Sequence, residues 1–353
     1  MRMTENSLFV SPFPSSVRHM QAVQFLYPGW WAIVMGLSGL TLAWHRAEPV
    51  LGAMIQPVVM GLATLVFLVF ALLSVASLAR LLRYREAWRE DARHPIRHAF
   101  LAAIPISMLL IAAVAFLFRG PCPYLAAFWW LGSLLQWGGT VWVLARWWRA
   151  AAEGGLAWTG VTPALFIPVV GNVVAPIAGV PLGFPEWSAA QFGVGLLFWP
   201  IVLLLIVLRT ANAGALPPRL LPTAFIVVAP PAVVGLSLAQ FGAPPLVLWT
   251  LWGIALFSVL WAGTLVKRIA ALPFALPHWA LSFPLAAFAA LTLRLMPATG
   301  VGSVFALAML ALATLVIAGL ALATLRGLFA GTLLVPEVHP APPAQATAQT
   351  ASA

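Results

Sequence analysis

Apolar residues come in long runs punctuated by short clusters of charge, proline and glycine. A membrane-spanning helix needs about 20 mostly apolar residues, and the punctuation predicts ten such helices, at 28–44, 52–82, 99–118, 123–148, 163–179, 189–208, 222–240, 245–266, 273–296 and 301–334. The second is long enough to project beyond the bilayer, and a basic loop, 83–98, follows it. Residues 1–27 read as a short retained tail. After Pro336 the composition turns to Pro, Ala, Gln and Thr, which cannot bury a core, so 335–353 reads as a disordered tail.

The runs differ in kind. Interior prolines fall mainly in the odd-numbered ones, at Pro105, Pro168, Pro176, Pro230, Pro231 and Pro284, with Pro57 and Pro200 as exceptions in even ones. Proline removes a helical hydrogen bond, and a carbonyl freed within a membrane must face protein or a water-filled cavity. The odd runs are therefore expected inside and the even runs toward lipid. Odd runs start near 28, 99, 163, 222 and 273, which fits a fivefold repeat of a helical hairpin. Those prolines, with Asn172 and with Gly36 and Gly39 of the first run, make up the expected pore lining.

Composition settles the solvent. Of 353 residues 63% are hydrophobic and 7% charged, against about 25% charged in soluble domains, so the fold class is an all-α integral membrane protein. The net charge of +10 does not indicate nucleic acid, because the basic residues lie between apolar runs rather than on one folded face. It reads as topology: with both termini cytoplasmic, all the Lys and Arg except Arg46, Arg119 and Arg294 fall inside. A single cysteine, Cys122, excludes an internal disulfide and a cysteine-based metal site.

No Asp, Glu, Lys or Arg lies in the middle of any run. Proton-coupled carriers usually place titratable relays there, so their absence favours a passive pore. No catalytic constellation can be assembled, and neither an enzyme nor a cofactor is expected. Asn172 either offers its amide to an anion or satisfies a carbonyl at a helix break. His94 and His98 could form a metal pair, but their arginine neighbours favour a headgroup-contacting segment. Arg46, Arg119 and Arg294 end odd runs on the outer side. They either ring an anion-attracting mouth or complement helix C-termini. The tryptophans cluster near run ends, as interfacial anchors do.

Five blocks in order resemble the tellurite-resistance/dicarboxylate transporter family, which includes TehA proteins and plant slow anion channels. They are Pro28-Gly-Trp-Trp through Trp44, His94-Pro-Ile-Arg-His98 with Ile104-Pro-Ile-Ser107, Gly171-Asn-Val-Val-Ala-Pro176, Phe225-Ile-Val-Val-Ala-Pro-Pro231, and Trp279-Ala-Leu-Ser-Phe-Pro-Leu-Ala286. The resemblance implies ten helices as five hairpins in quasi-fivefold arrangement around a central pore, odd helices inward, and a homotrimer with one pore per protomer. It also implies a phenylalanine gate, here Phe283. The expected function is a passive channel for small monovalent anions, chloride or nitrate, in a bacterial inner membrane. The alternative is a proton-coupled exporter of tellurite, sulfite or a C4-dicarboxylate.

Overall fold

The computed structural model describes residues 22–335, so what the sequence suggests for 1–21 and 336–353 lies outside the described residues. All regular structure among the described residues is helical. Seven of these helices are long and apolar enough to cross a membrane, and they are of two kinds. In Arg97–Arg119, Pro218–Gln240 and Leu276–Leu295 the apolar stretch is 67%, 83% and 78% buried; in Ala53–Arg83, Pro185–Ala213, Pro245–Gly263 and Val301–Phe329 it is only 22–28% buried.

This divides the chain into two layers. The inner layer holds α1 (Ala32–Arg46), then, beyond α2 (Gln56–Arg83) and α3 (Arg85–Arg93), α4 (Ala103–Arg119). After α5 (Pro123–Trp147) comes a broken inner segment, with α6 (Phe166–Val170) and α7 (Pro176–Gly179). α8 (Pro185–Ala213) precedes α9 (Ala229–Gln240), and α10 (Pro245–Gly263) precedes α11 (Ser282–Leu295) and α12 (Val301–Phe329). The inner elements touch in chain order, α1 with α4, α4 with α7, α7 with α9 and α9 with α11, and α11 closes back on α1. α2, α5, α8, α10 and α12 pack outside them and expose large aliphatic side chains such as Leu72 and Leu315, which only hydrocarbon can cover without cost.

Local sequence explains the alternation. Each inner element opens with a 3-10 stretch: Pro28–Trp31, Arg97–Ala102, Pro163–Leu165, Pro218–Val228 and Leu276–Leu281. The α-helical ladder then starts afresh, and the prolines sit in its first turn. Pro105, Pro168, Pro231 and Pro284 are each the third residue of α4, α6, α9 and α11, with Pro230 beside Pro231, and Pro176 opens α7. These prolines stand where the 3-10 stretch passes into the α-helix, inside runs that are continuous in Arg97–Arg119, Pro218–Gln240 and Leu276–Leu295. The first turn of an α-helix is where a missing N–H costs least. Pro57, Pro123, Pro185 and Pro245 open outer helices for the same reason; Pro200 alone lies inside one. A glycine with φ between 60° and 92° stands in each turn from inner to outer element, at Gly52, Gly120, Gly183, Gly242 and Gly300, a conformation that L side chains rarely adopt.

The broken segment keeps its freed carbonyls satisfied by side chains. Gln136 Nε2 and Thr140 Oγ1 donate to the Pro168 carbonyl at 3.0 and 2.6 Å, Asn172 Nδ2 to Val169 at 2.9 Å, and Trp129 Nε1 to Ala175 at 3.1 Å. Several indoles tie the layers together, as in Trp44 to Thr314, Trp252 to Thr292 and Trp279 to Thr324. These tryptophans serve packing between the layers.

At the face that carries residues 22–27, a charged clamp closes the fold. Arg80 Nη1 of α2 lies 2.6 Å from Asp91 Oδ2 of α3, and Arg80 Nε donates to the Gln24 carbonyl at 2.9 Å. Arg97 Nη1 approaches Asp91 Oδ1 at 3.1 Å. His94 Nδ1 accepts the N–H groups of Ile96 and Arg97, so it shapes the turn between α3 and the next inner element.

Candidate functional site

Three cavities follow one another through the inner layer. The first, at the N-terminal face, holds about 70 Å³ and is walled by apolar and aromatic groups including Phe100, Ile167, Ala229 and Trp279, with Tyr27 at its rim. The last, at the opposite face, holds about 650 Å³ and is walled in part by His45, Arg46, Glu48, Gln240 and Arg294. Between them is a space of about 20 Å³, enough for about one water. Phe283 and Val233 wall both the first and the middle space, while Leu42, Arg46 and Ile177 wall both the middle and the last. Phe283 therefore stands at the divide.

The narrowest space takes a side from every inner element: Gly39 from α1, Leu110 from α4, Ile177 from α7, Val233 from α9 and Phe283 from α11. No charge reaches it except Arg46, from the opposite face. Phe283 is positioned by the start of its helix, where Ser282 Oγ donates to the Trp279 carbonyl at 2.6 Å, and its side chain is 8% exposed. Gly36 and Gly39 let α11 approach α1. A Cβ at Gly36 would collide with the Ser282 side chain, and one at Gly39 would lie 3.1 Å from Phe283 Cδ2. The ring thus rests directly on the α1 backbone.

The remaining sequence-derived candidates are placed as follows. Pro230 and Pro284 wall the first cavity; Pro105, Pro168, Pro176 and Pro231 are buried but wall none of the three. Gly36 is a packing contact rather than a lining residue. Asn172 walls no cavity either. It is fully buried, its Nδ2 donates to Thr140 Oγ1 at 2.7 Å and its Oδ1 accepts from Gln191 Nε2 at 3.0 Å, so its amide is spent on the broken segment. Arg46 and Arg294 share the large cavity, whereas Arg119 is exposed and walls none of the three; α4 carries it past the rim that Phe116 and Leu117 reach. Sequence reasoning missed Val233, Leu110 and Ile177, which nothing in composition separates from other aliphatics, and Tyr27, whose signal is its place directly before the first run.

A sheath of lipid-exposed helices around buried ones that enclose an interrupted line of cavities is the build of a multi-pass membrane transport protein. The family described as SLAC1, voltage-dependent anion channel, matches residues 26–325, and the chain belongs to it. It is 26% identical to a tellurite resistance protein TehA homolog of Haemophilus influenzae, over 74% of this chain and 78% of that protein. An uncharacterized transporter of Methanocaldococcus jannaschii is 25% identical over 77% of this chain and 84% of its own length. The S-type anion channel SLAH2 of Arabidopsis thaliana is 26% identical over 63% of this chain but only 42% of its own length, so the chain spans less than half of that plant protein. Membership places the chain among membrane anion channels and transporters rather than enzymes.

Proposed function

We propose that the chain is a passive pore for small monovalent anions of the chloride or nitrate type, closed at the divide by the Phe283 ring. The observation that carries this reading is the space of about 20 Å³ beside Phe283, apolar apart from Arg46 at its far side, with larger cavities on either side. An aromatic ring in so narrow an apolar passage stops ions by size and by excluding the water that would solvate them. Weak binding along the apolar wall beside Phe283 lets an admitted anion leave quickly.

The pore is read as ten spans in five hairpins with quasi-fivefold arrangement, supported by the recurring 3-10 entry, first-turn proline and turn glycine. The same reading includes a homotrimer, an inner-membrane location and cytoplasmic termini, the last resting on the distribution of basic residues.

Liposomes containing the full chain test the proposal. F283A is expected to raise passive chloride and nitrate flux by about tenfold or more, which corresponds to about 1.4 kcal/mol off the barrier. Unchanged flux in F283A would remove the gate. Flux that requires a pH gradient would replace the channel with the proton-coupled exporter.

A further inference from the structure

The cavity at the opposite face holds two arginines in an unusual state. Arg46 and Arg294 lie in the last turns of α1 and α11, where guanidinium groups ordinarily serve the terminal carbonyls. Among the described residues neither donates to a carbonyl and neither pairs with a carboxylate, and Arg294 lies near enough to act on Arg46 by like charge. Glu48 walls the same cavity without forming an ion pair with either. Arg46 also walls the middle space, so it is the last charge before Phe283.

Two positive groups that share a cavity and lack partners repel one another, and an anion between them reverses the sign of that interaction. The guanidinium is a planar fork whose paired N–H groups match two oxygens of a planar anion, a match that a spherical halide cannot offer. We propose that Arg46 and Arg294 together hold a small planar oxyanion, of the nitrate or carboxylate kind, as a loading station next to the Phe283 divide. This rests on the pore reading above and adds to it a site and a ligand class.

The test measures binding apart from flux. The full chain in lipid nanodiscs is unfolded by heat while sodium nitrate, or sodium formate, replaces sodium chloride at constant ionic strength. A saturable upward shift of the midpoint is expected. R46Q and R294Q should each raise the half-saturating concentration about tenfold or more, as loss of a charged hydrogen bond implies. R46K keeps the charge without the fork and should lose the preference for nitrate over chloride. F283A should keep the full shift. No shift in the parent protein, or an equal shift in R46Q, overturns the station; R46K behaving like the parent overturns the planar-anion assignment. Absent flux with the shift intact overturns conduction alone, and flux without the shift overturns the station alone.

Discussion

The two faces of the molecule use arginine in opposite ways. At the N-terminal face, Arg80 is 2% exposed and its donors are taken: one nitrogen by Asp91, another by the Gln24 carbonyl, with the Trp88 ring 5.5 Å from its guanidinium carbon. Arg97 divides its nitrogens between Asp91 and Glu90. At the opposite face, Arg46 and Arg294 border a cavity of about 650 Å³ with no such partners. A buried arginine whose partners come from two other segments is part of the fold, and removing it should be costly. An arginine that borders a cavity and spends no donor on the fold is available to a ligand. The residue type is the same; the pairing decides the role.

Three substitutions and a pH series sharpen or break this contrast. R80Q should do the most damage. It leaves the buried Asp91 carboxylate without its nearest guanidinium, a change that typically costs about 3–5 kcal/mol, and it should appear as a large drop in thermal midpoint in detergent. Next comes G36A, where the new methyl meets Ser282; overpacking of this sort costs about 1–3 kcal/mol and should separate α1 from α11. R46Q should leave stability in chloride buffer within about 0.5 kcal/mol, because no native bond is lost, while low-salt anion flux falls and its dependence on ionic strength flattens. If R46Q destabilises as much as R80Q, the contrast is wrong.

The smallest effect is a pH dependence. Burial pushes the Asp91 carboxyl above the ordinary aspartate range, against the pull of Arg80 and Arg97. A carboxyl raised in the folded state holds its proton more tightly there than in the unfolded chain. Its contribution to stability is therefore greatest below the ordinary aspartate range and declines as pH climbs through the raised value. Thermal midpoints from pH 3 to 7, taken as parent minus D91N, should show this fall with rising pH. A rise instead would mean that the two guanidinium groups outweigh burial.

Much of the layer structure was legible in the sequence, because lipid rewards length and apolarity and these are properties of a run. The division into buried and exposed runs was legible as well, through the prolines. They mark where a 3-10 stretch hands over to an α-helix, and only backbone geometry distinguishes that from a bend. The turn glycines were equally visible: Gly120, Gly183 and Gly242 each precede a proline within three residues, but φ is not written in a sequence. Phe283 could be picked out only through resemblance, since one aromatic among many carries no label. Asn172 and Arg119 show the limit most plainly. Both are polar residues at suggestive positions, and which wall each meets depends on helix rotation and on where the helix ends.

The 3-10 stretches also change how far a short run can reach. Such a helix rises about 2.0 Å per residue against about 1.5 Å in an α-helix. Pro218–Val228, 11 residues long, covers roughly 22 Å, where an α-helix would cover roughly 17 Å. The inner runs can therefore thread the bilayer with fewer residues and a thinner cross-section than their outer neighbours. Their tighter turns carry poorer hydrogen bonds, so under the proposed gating the stretch just before Phe283, Leu276–Leu281, is one whose backbone can rewind at low cost.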